Sequence, residues 1–118
     1  MEKKERILIV DDELITRKAL RRILGSRGYE IKTAANGKEA LNILGKEQFG
    51  LVLSDMVMGD VDGLEILSKT KKIDPDTEVI IMTGYGSVSS AIEAIKQQAF
   101  HYLEKPVRPE EVRLLVTR

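Results

Sequence analysis

The apolar positions along the chain switch repeatedly between two rhythms. Ile7-Leu8-Ile9-Val10 is an unbroken apolar run with β-branched residues, the pattern of a strand buried on both faces. From Glu13 to Leu24 the rhythm lengthens to that of a helix. Leu20, Ile23 and Leu24 fall inward, Arg17, Lys18, Arg21 and Arg22 fall outward, and Gly25 and Gly28 mark the exit. The alternation recurs as a strand from Tyr29 to Ala34, a short helix from Lys38 to Leu44, a strand from Leu51 to Leu53, and a helix from Leu64 to about Lys72 closed by Asp74-Pro75. A fourth strand covers Val79 to Met82. A fourth helix covers Ser87 to Gln98, with Val88, Ala91, Ile92 and Ile95 on one stripe. A fifth strand follows from Phe100 to Leu103, and Pro109 opens a fifth helix, proline being suited to a first helical turn.

Strands separated by helices pair in parallel, with right-handed crossovers and helices on both sheet faces. The pattern therefore predicts an α/β fold with a doubly wound, five-stranded parallel sheet over one domain, residues 1–118. Five such units commonly take the strand order 2-1-3-4-5, which makes strands one and three neighbours at the switch point, where ligands bind beyond the carboxyl ends of the strands.

The residues just past those ends carry the chemistry. Asp11 and Asp12 follow strand one, Ser54 and Asp55 follow strand three, Thr83-Gly84 ends strand four, and Glu104-Lys105-Pro106 follows strand five. Each has a plain reading alone. Asp12 suits a helix cap, Asp55 a loop acid, Thr83 a strand end, Lys105 a solvated loop, and His101 surface or packing. Their convergence on one edge of one sheet is what points to a site. Three clustered carboxylates repel, and without a cation among them one takes up a proton. Oxygen-only ligands suit a hard divalent cation such as Mg²⁺. Mg²⁺ and Lys105 together offset the repulsion between a carboxylate and an incoming phosphoryl group, which makes an acyl phosphate on an aspartate accessible.

Composition narrows the alternatives. Nineteen Lys and Arg balance nineteen Asp and Glu, so no net field favours nucleic acid or an anionic membrane. The absence of cysteine removes disulfide, thiolate and zinc-thiolate chemistry. No apolar run is long enough to span a bilayer, and Met1-Glu2-Lys3-Lys4 leads into a strand without the apolar core of a signal peptide. The expected location is the cytoplasm.

Taken together, Asp11-Asp12, the segment from Asp55 to Gly63, Thr83 and Lys105-Pro106 are similar in order and spacing to the receiver domain of response regulators in two-component systems. The resemblance covers nearly the whole chain and implies a flavodoxin-like (βα)5 receiver fold. It implies that Asp55 is the phosphoacceptor. Mg²⁺ would be bound by Asp12, Asp55 and the Val57 carbonyl, with Asp11 helping directly or through water. Thr83 and Tyr102 would form a switch pair, Lys105 would pair with the phosphoryl group, and the Lys105–Pro106 bond would be cis. The implied partners are a histidine kinase, a second copy through the surface of the fourth helix, fifth strand and fifth helix, and an output domain through which DNA would be reached only indirectly; no membrane partner is implied.

The segments Thr83 to Ser87, Ala91 to Ile95 and Ala99 to Pro106 resemble receivers of the nitrogen-regulator class, which usually precede an ATPase module and a helix-turn-helix. The short fifth helix fits a domain excised from a longer protein. Receivers usually carry proline four residues after the phosphorylated aspartate, and here that residue is Gly59. The loss of that restraint bears on loop geometry and phosphoaspartate lifetime.

The main alternative is a Mg²⁺-dependent phosphohydrolase of the haloacid dehalogenase type, but its nucleophile follows the first strand as Asp-x-Asp, whereas Asp11 and Asp12 are adjacent. A flavodoxin-like cofactor binder would need a phosphate loop after strand one. A receiver-like docking domain that is never phosphorylated would not need the full acid set.

Overall fold

In the first strand, alternate residues of a single apolar run serve two different cores. The computed structural model describes residues 5–83, 101–105 and 108–116. The strands are β1 (Arg6–Val10), β2 (Glu30–Ala34), β3 (Leu51–Asp55), β4 (Glu78–Thr83) and β5 (His101–Glu104). Between them lie α1 (Leu14–Gly25), α2 (Gly37–Leu44) and α3 (Gly63–Ile73), and a C-terminal helix covers Pro109–Val116. Leu8 and Val10 join Val52, Val79 and Ile81 under Ala40, Leu44, Ile66 and Leu67 of α2 and α3. Ile7 and Ile9 join Leu53, Ile80 and Met82 under Leu20 and Leu24 of α1 and Val112 of the C-terminal helix. Burial on both faces is why these strands read as continuous apolar runs.

The sheet is parallel, with β2, β1, β3 and β4 in that order and β5 hydrogen-bonded to the outer side of β4. The edge strand β2 is only half-buried, with Glu30 and Lys32 exposed. Its rim is charged: Arg6 bridges Glu30 and Glu47, Lys32 also meets Glu47, and the Arg6 guanidinium stacks 4.7 Å from the Phe49 ring centre. Such charges discourage pairing of an open edge with another strand.

Element boundaries shift slightly from the expected ones. α1 begins at Leu14 with Glu13 as its N-cap, so Asp12 is not the cap. The cap side chain accepts no hydrogen bond from the N–H groups of the helix; Asp11 Oδ1 instead accepts from the Glu13 N–H at 2.9 Å. Arg17 is half-buried rather than outward, because its guanidinium donates to the Asp11 carbonyl at 2.7 Å. The expected helix from Ser87 to Gln98, the Gly84-Tyr85-Gly86 loop and Pro106 lie outside the described residues. Among the described residues no helix is long and apolar enough to cross a membrane.

Candidate functional site

Strand register decides which acids meet. Val10 is level with Ser54, and Asp55 is level with Met82, so Asp11 and Asp55 emerge side by side at the carboxyl ends of β1 and β3. Asp11 is fully buried, Asp55 is 7% exposed, and Asp12 is exposed at the mouth of the cleft. One carboxylate oxygen from each lies within 4.8 Å of the others, and this is the sole potential metal-binding cluster among the described residues. Ser54, also beside Asp55 in sequence, belongs to the strand interior and donates to the Asp55 carbonyl at 3.0 Å.

Thr83 and Lys105 approach from the other side. Thr83 closes β4, is 6% exposed, and accepts a hydrogen bond from the Lys105 N–H through its carbonyl at 2.7 Å. The Lys105 ammonium lies 2.7 Å from Asp11 Oδ2, 3.3 Å from Glu13 Oε1 and 3.4 Å from Asp55 Oδ2. Its closest contact is Asp11 Oδ2, a short buried ion pair that holds the ammonium inside the cleft. Tyr102 is level with Ile81 in the sheet, but its side chain lies outside the described residues.

The electrostatics follow from this crowding. Burial, then the negative charge of Asp11, raises the Asp55 pKa, and Lys105 only partly offsets them. Burial alone would lower the Lys105 pKa. Its contact with Asp11, reinforced by Asp55 and Glu13, outweighs that and holds the ammonium above its ordinary value. Three carboxylates facing one ammonium leave a net negative cleft of oxygen donors. That surplus of carboxylate charge gives a hard divalent cation a reason to enter.

The loop leaving Asp55 is held tightly at its base. The Met56 N–H donates to the Met82 carbonyl at 2.7 Å, and the Gly63 N–H donates to the Met56 carbonyl at 2.8 Å. A Cβ on Gly63 would sit 2.6 Å from the Asp55 carbonyl oxygen, so only glycine lets α3 begin this close to the strand end. Met56 and Met58 are buried, while the Val57 side chain between them is 70% exposed.

Sequence reasoning did not single out three further residues. Glu13 is a third anionic neighbour of Lys105. Arg17 braces the Asp11 backbone. Asp60 accepts from the N–H groups of Gly37 and Lys38 at the start of α2, at 3.2 and 3.1 Å. Glu13 and Arg17, following the acid pair by one and five residues, could have been suspected. Asp60 has no local signal for this role, because the α2 groups it meets are more than twenty residues away. A groove of about 230 Å³ lined by Leu44, Phe49, Thr70, Ile73 and Thr77 lies apart from this cluster and brings no comparable set of acids together.

Comparison with known proteins agrees with this geometry. Residues 7–117 match the family described as the response regulator receiver domain. The transcriptional regulatory protein GlrR of Escherichia coli is 40% identical over 86% of this chain, which spans only 23% of GlrR. Sporulation initiation phosphotransferase F of Bacillus subtilis is 42% identical over 92% of this chain and 88% of its own length. The beryllofluoride-activated NtrC4 receiver domain dimer superposes with a TM-score of 0.90 at 37% identity, covering 96% of this chain and 93% of that one. A response regulator from Burkholderia pseudomallei, solved with a phosphorylated aspartic acid, a calcium ion and citrate, superposes with a TM-score of 0.87 at 32% identity, covering 94% and 65%.

Proposed function

The chain belongs to the response regulator receiver family, and on that premise we propose that Asp55 is the aspartate that accepts the phosphoryl group, with Mg²⁺ held beside it by Asp12, Asp55 and the Val57 carbonyl and with Asp11 assisting. A receiver is a phosphorylated switch, not an enzyme turning over an external substrate, so the phosphohydrolase alternative falls away. The observation that carries the assignment is the convergence of three carboxylates at the switch point, one of them fully buried.

The residues divide the work by charge and position. Asp55 sits at the rigid end of β3, and its carboxylate oxygen attacks phosphorus as the bond from phosphorus to the donor, a histidine nitrogen of the kinase, breaks. Mg²⁺, when bound, supplies positive charge that screens the carboxylates from the phosphoryl oxygens. Lys105 is already in the cleft with its charge secured by Asp11, so it can turn toward the new oxygens without crossing solvent. Thr83 offers a hydroxyl from β4, and Tyr102 on β5 completes the switch pair. The surface whose state changes, for docking or for pairing with a second copy, is that of β5, the C-terminal helix and the segment expected from the sequence to form a fourth helix. The whole is a flavodoxin-like (βα)5 receiver within a longer regulator whose output is transcription.

The test is to incubate the chain with Mg²⁺ and acetyl phosphate and to locate the added phosphoryl group by mass spectrometry. Label on Asp55, absent from Asp55→Asn, is the expected result. Label that persists on the Asn variant, or wild-type protein that never acquires it, overturns the assignment.

A further inference from the structure

The turn that carries Asp55 and Val57 toward α3 is built differently from a proline-braced loop. Gly59 has φ +87°, a left-handed conformation closed to proline, whose ring fixes φ near about −65°. The proline familiar at this position could therefore not supply the restraint in this backbone. The next residue supplies a different one. Asp60 Oδ1 accepts from the Gly37 N–H at 3.2 Å and from the Val61 N–H at 2.6 Å, and Oδ2 accepts from the Lys38 N–H at 3.1 Å. The next N–H of α2, that of Glu39, is capped separately by the Asn36 side chain at 2.8 Å. The orphan donors at this helix start are thus satisfied from two directions, one of them across the fold. The contact is also steric. A Cβ on Gly37 would lie 2.4 Å from the Val61 Cβ, so the turn and the helix start are interlocked at van der Waals distance.

We propose that Asp60 is a positioning residue, whose carboxylate ties the turn after Asp55 to the N-terminus of α2 and thereby holds Asp55 and the Val57 backbone in the geometry that binds Mg²⁺ and receives the phosphoryl group. The proposal rests on the functional reading above. The segment from Met56 to Gly63 is fixed at its base by the two backbone bonds of Met56. It is fixed at its tip by Asp60. α2 is itself anchored in the core through Ala40 and Leu44. Without the tip contact, Gly59 is free to take the many conformations open to glycine, and the Val57 carbonyl goes with it. Backbone donors from Val61, Lys38 and Gly37 also hold the Asp60 pKa below the usual carboxylate range, so the tie is charged at neutral pH.

The experiment compares wild type, Asp60→Asn and Asp60→Ala as intact chains. It measures thermal unfolding without metal, Mg²⁺ affinity by amide chemical shifts, and the rate of phosphorylation by acetyl phosphate. Asp60→Ala should weaken Mg²⁺ binding about 3- to 10-fold, less than the loss typical for a direct partner of a metal ligand, and slow phosphorylation similarly. The Gly37 and Lys38 amide resonances should move. Asp60→Asn keeps one acceptor oxygen and should fall between wild type and Ala. Wild-type Mg²⁺ affinity and rate in Asp60→Ala would overturn the positioning role. So would a loss that Asn does not partly recover, or one that leaves the Gly37 and Lys38 amides unmoved. A wild-type chain that neither binds Mg²⁺ nor is phosphorylated would instead overturn the functional reading, and the positioning role with it.

Discussion

Replacing Asp55 with asparagine should make the metal-free domain more stable. The Asp55 carboxylate has one attractive partner and two repulsive ones. Lys105 at 3.4 Å contributes about 5 kcal/mol of attraction at an effective dielectric of about 20. Asp11, within 4.8 Å and fully buried, contributes at least about 3.5 kcal/mol of repulsion on the same scale. Asp12 lies within the same distance but is exposed, so solvent reduces its share to about half of that. The pair interactions nearly cancel, and the cost of burying the charge decides the sign. An uncharged, nearly isosteric amide should gain about 1–2 kcal/mol, or about 4–8 °C in Tm for a domain of this size.

The pH dependence follows from the direction of the shift. The folded-state pKa of Asp55 is raised, so between its unfolded value near 3.8 and its folded value the native state holds the proton more often than the unfolded chain. Wild-type stability therefore falls as pH rises through that window, while the Asn variant lacks the term. The advantage of Asn should be absent below the ordinary carboxylate range and complete above the folded pKa. Mg²⁺ should reverse the order, because a ligand at 100 times its Kd stabilises the native state by about 2.7 kcal/mol and wild type binds it better. Chemical denaturation at several pH values, in EDTA and in Mg²⁺, decides the matter. An Asn variant less stable than wild type in EDTA at neutral pH would refute the reasoning.

Lys105→Ala should cost about 1–3 kcal/mol without metal, less than the 3–5 typical of a fully buried broken pair because the cleft is open, and excess Mg²⁺ should restore much of it; urea titration with and without Mg²⁺ reads both. Asp12→Ala should leave metal-free stability unchanged or higher, since that exposed acid mainly repels its neighbours, while lowering Mg²⁺ affinity about tenfold or more, as measured by amide shifts. Gly59→Pro should lower stability by about 1–3 kcal/mol or more, because φ +87° is closed to proline, and thermal unfolding checks it.

The order of the described strands and helices was legible in the chain because each element is specified by spacing over a few residues, and burial on both faces leaves continuous apolar runs that no helix of this length would show. The site was legible for a related reason. In a parallel sheet the carboxyl ends of all strands lie at one edge, so polar residues just after each run must converge there. The three acids, Thr83 and Lys105 needed only that rule. What the linear pattern could not carry is any property set by register or by a distant partner. Adjacent Asp11 and Asp12 look equivalent, yet one is fully buried and the other exposed, because Asp11 continues the strand while Asp12 turns with the chain toward α1. Helical periodicity places Arg17 outside, but the first turn of α1 overlies the site and the guanidinium finds the Asp11 carbonyl. Gly59 reads as a lost proline; only its positive φ shows that the loop follows a path no proline could take. Asp60 reads as one more loop acid, and becomes a tie only when folding brings the start of α2 against it. Local chemistry is written in neighbouring residues, whereas burial, capping across the fold and backbone hand depend on contacts that exist only once the sheet has assembled.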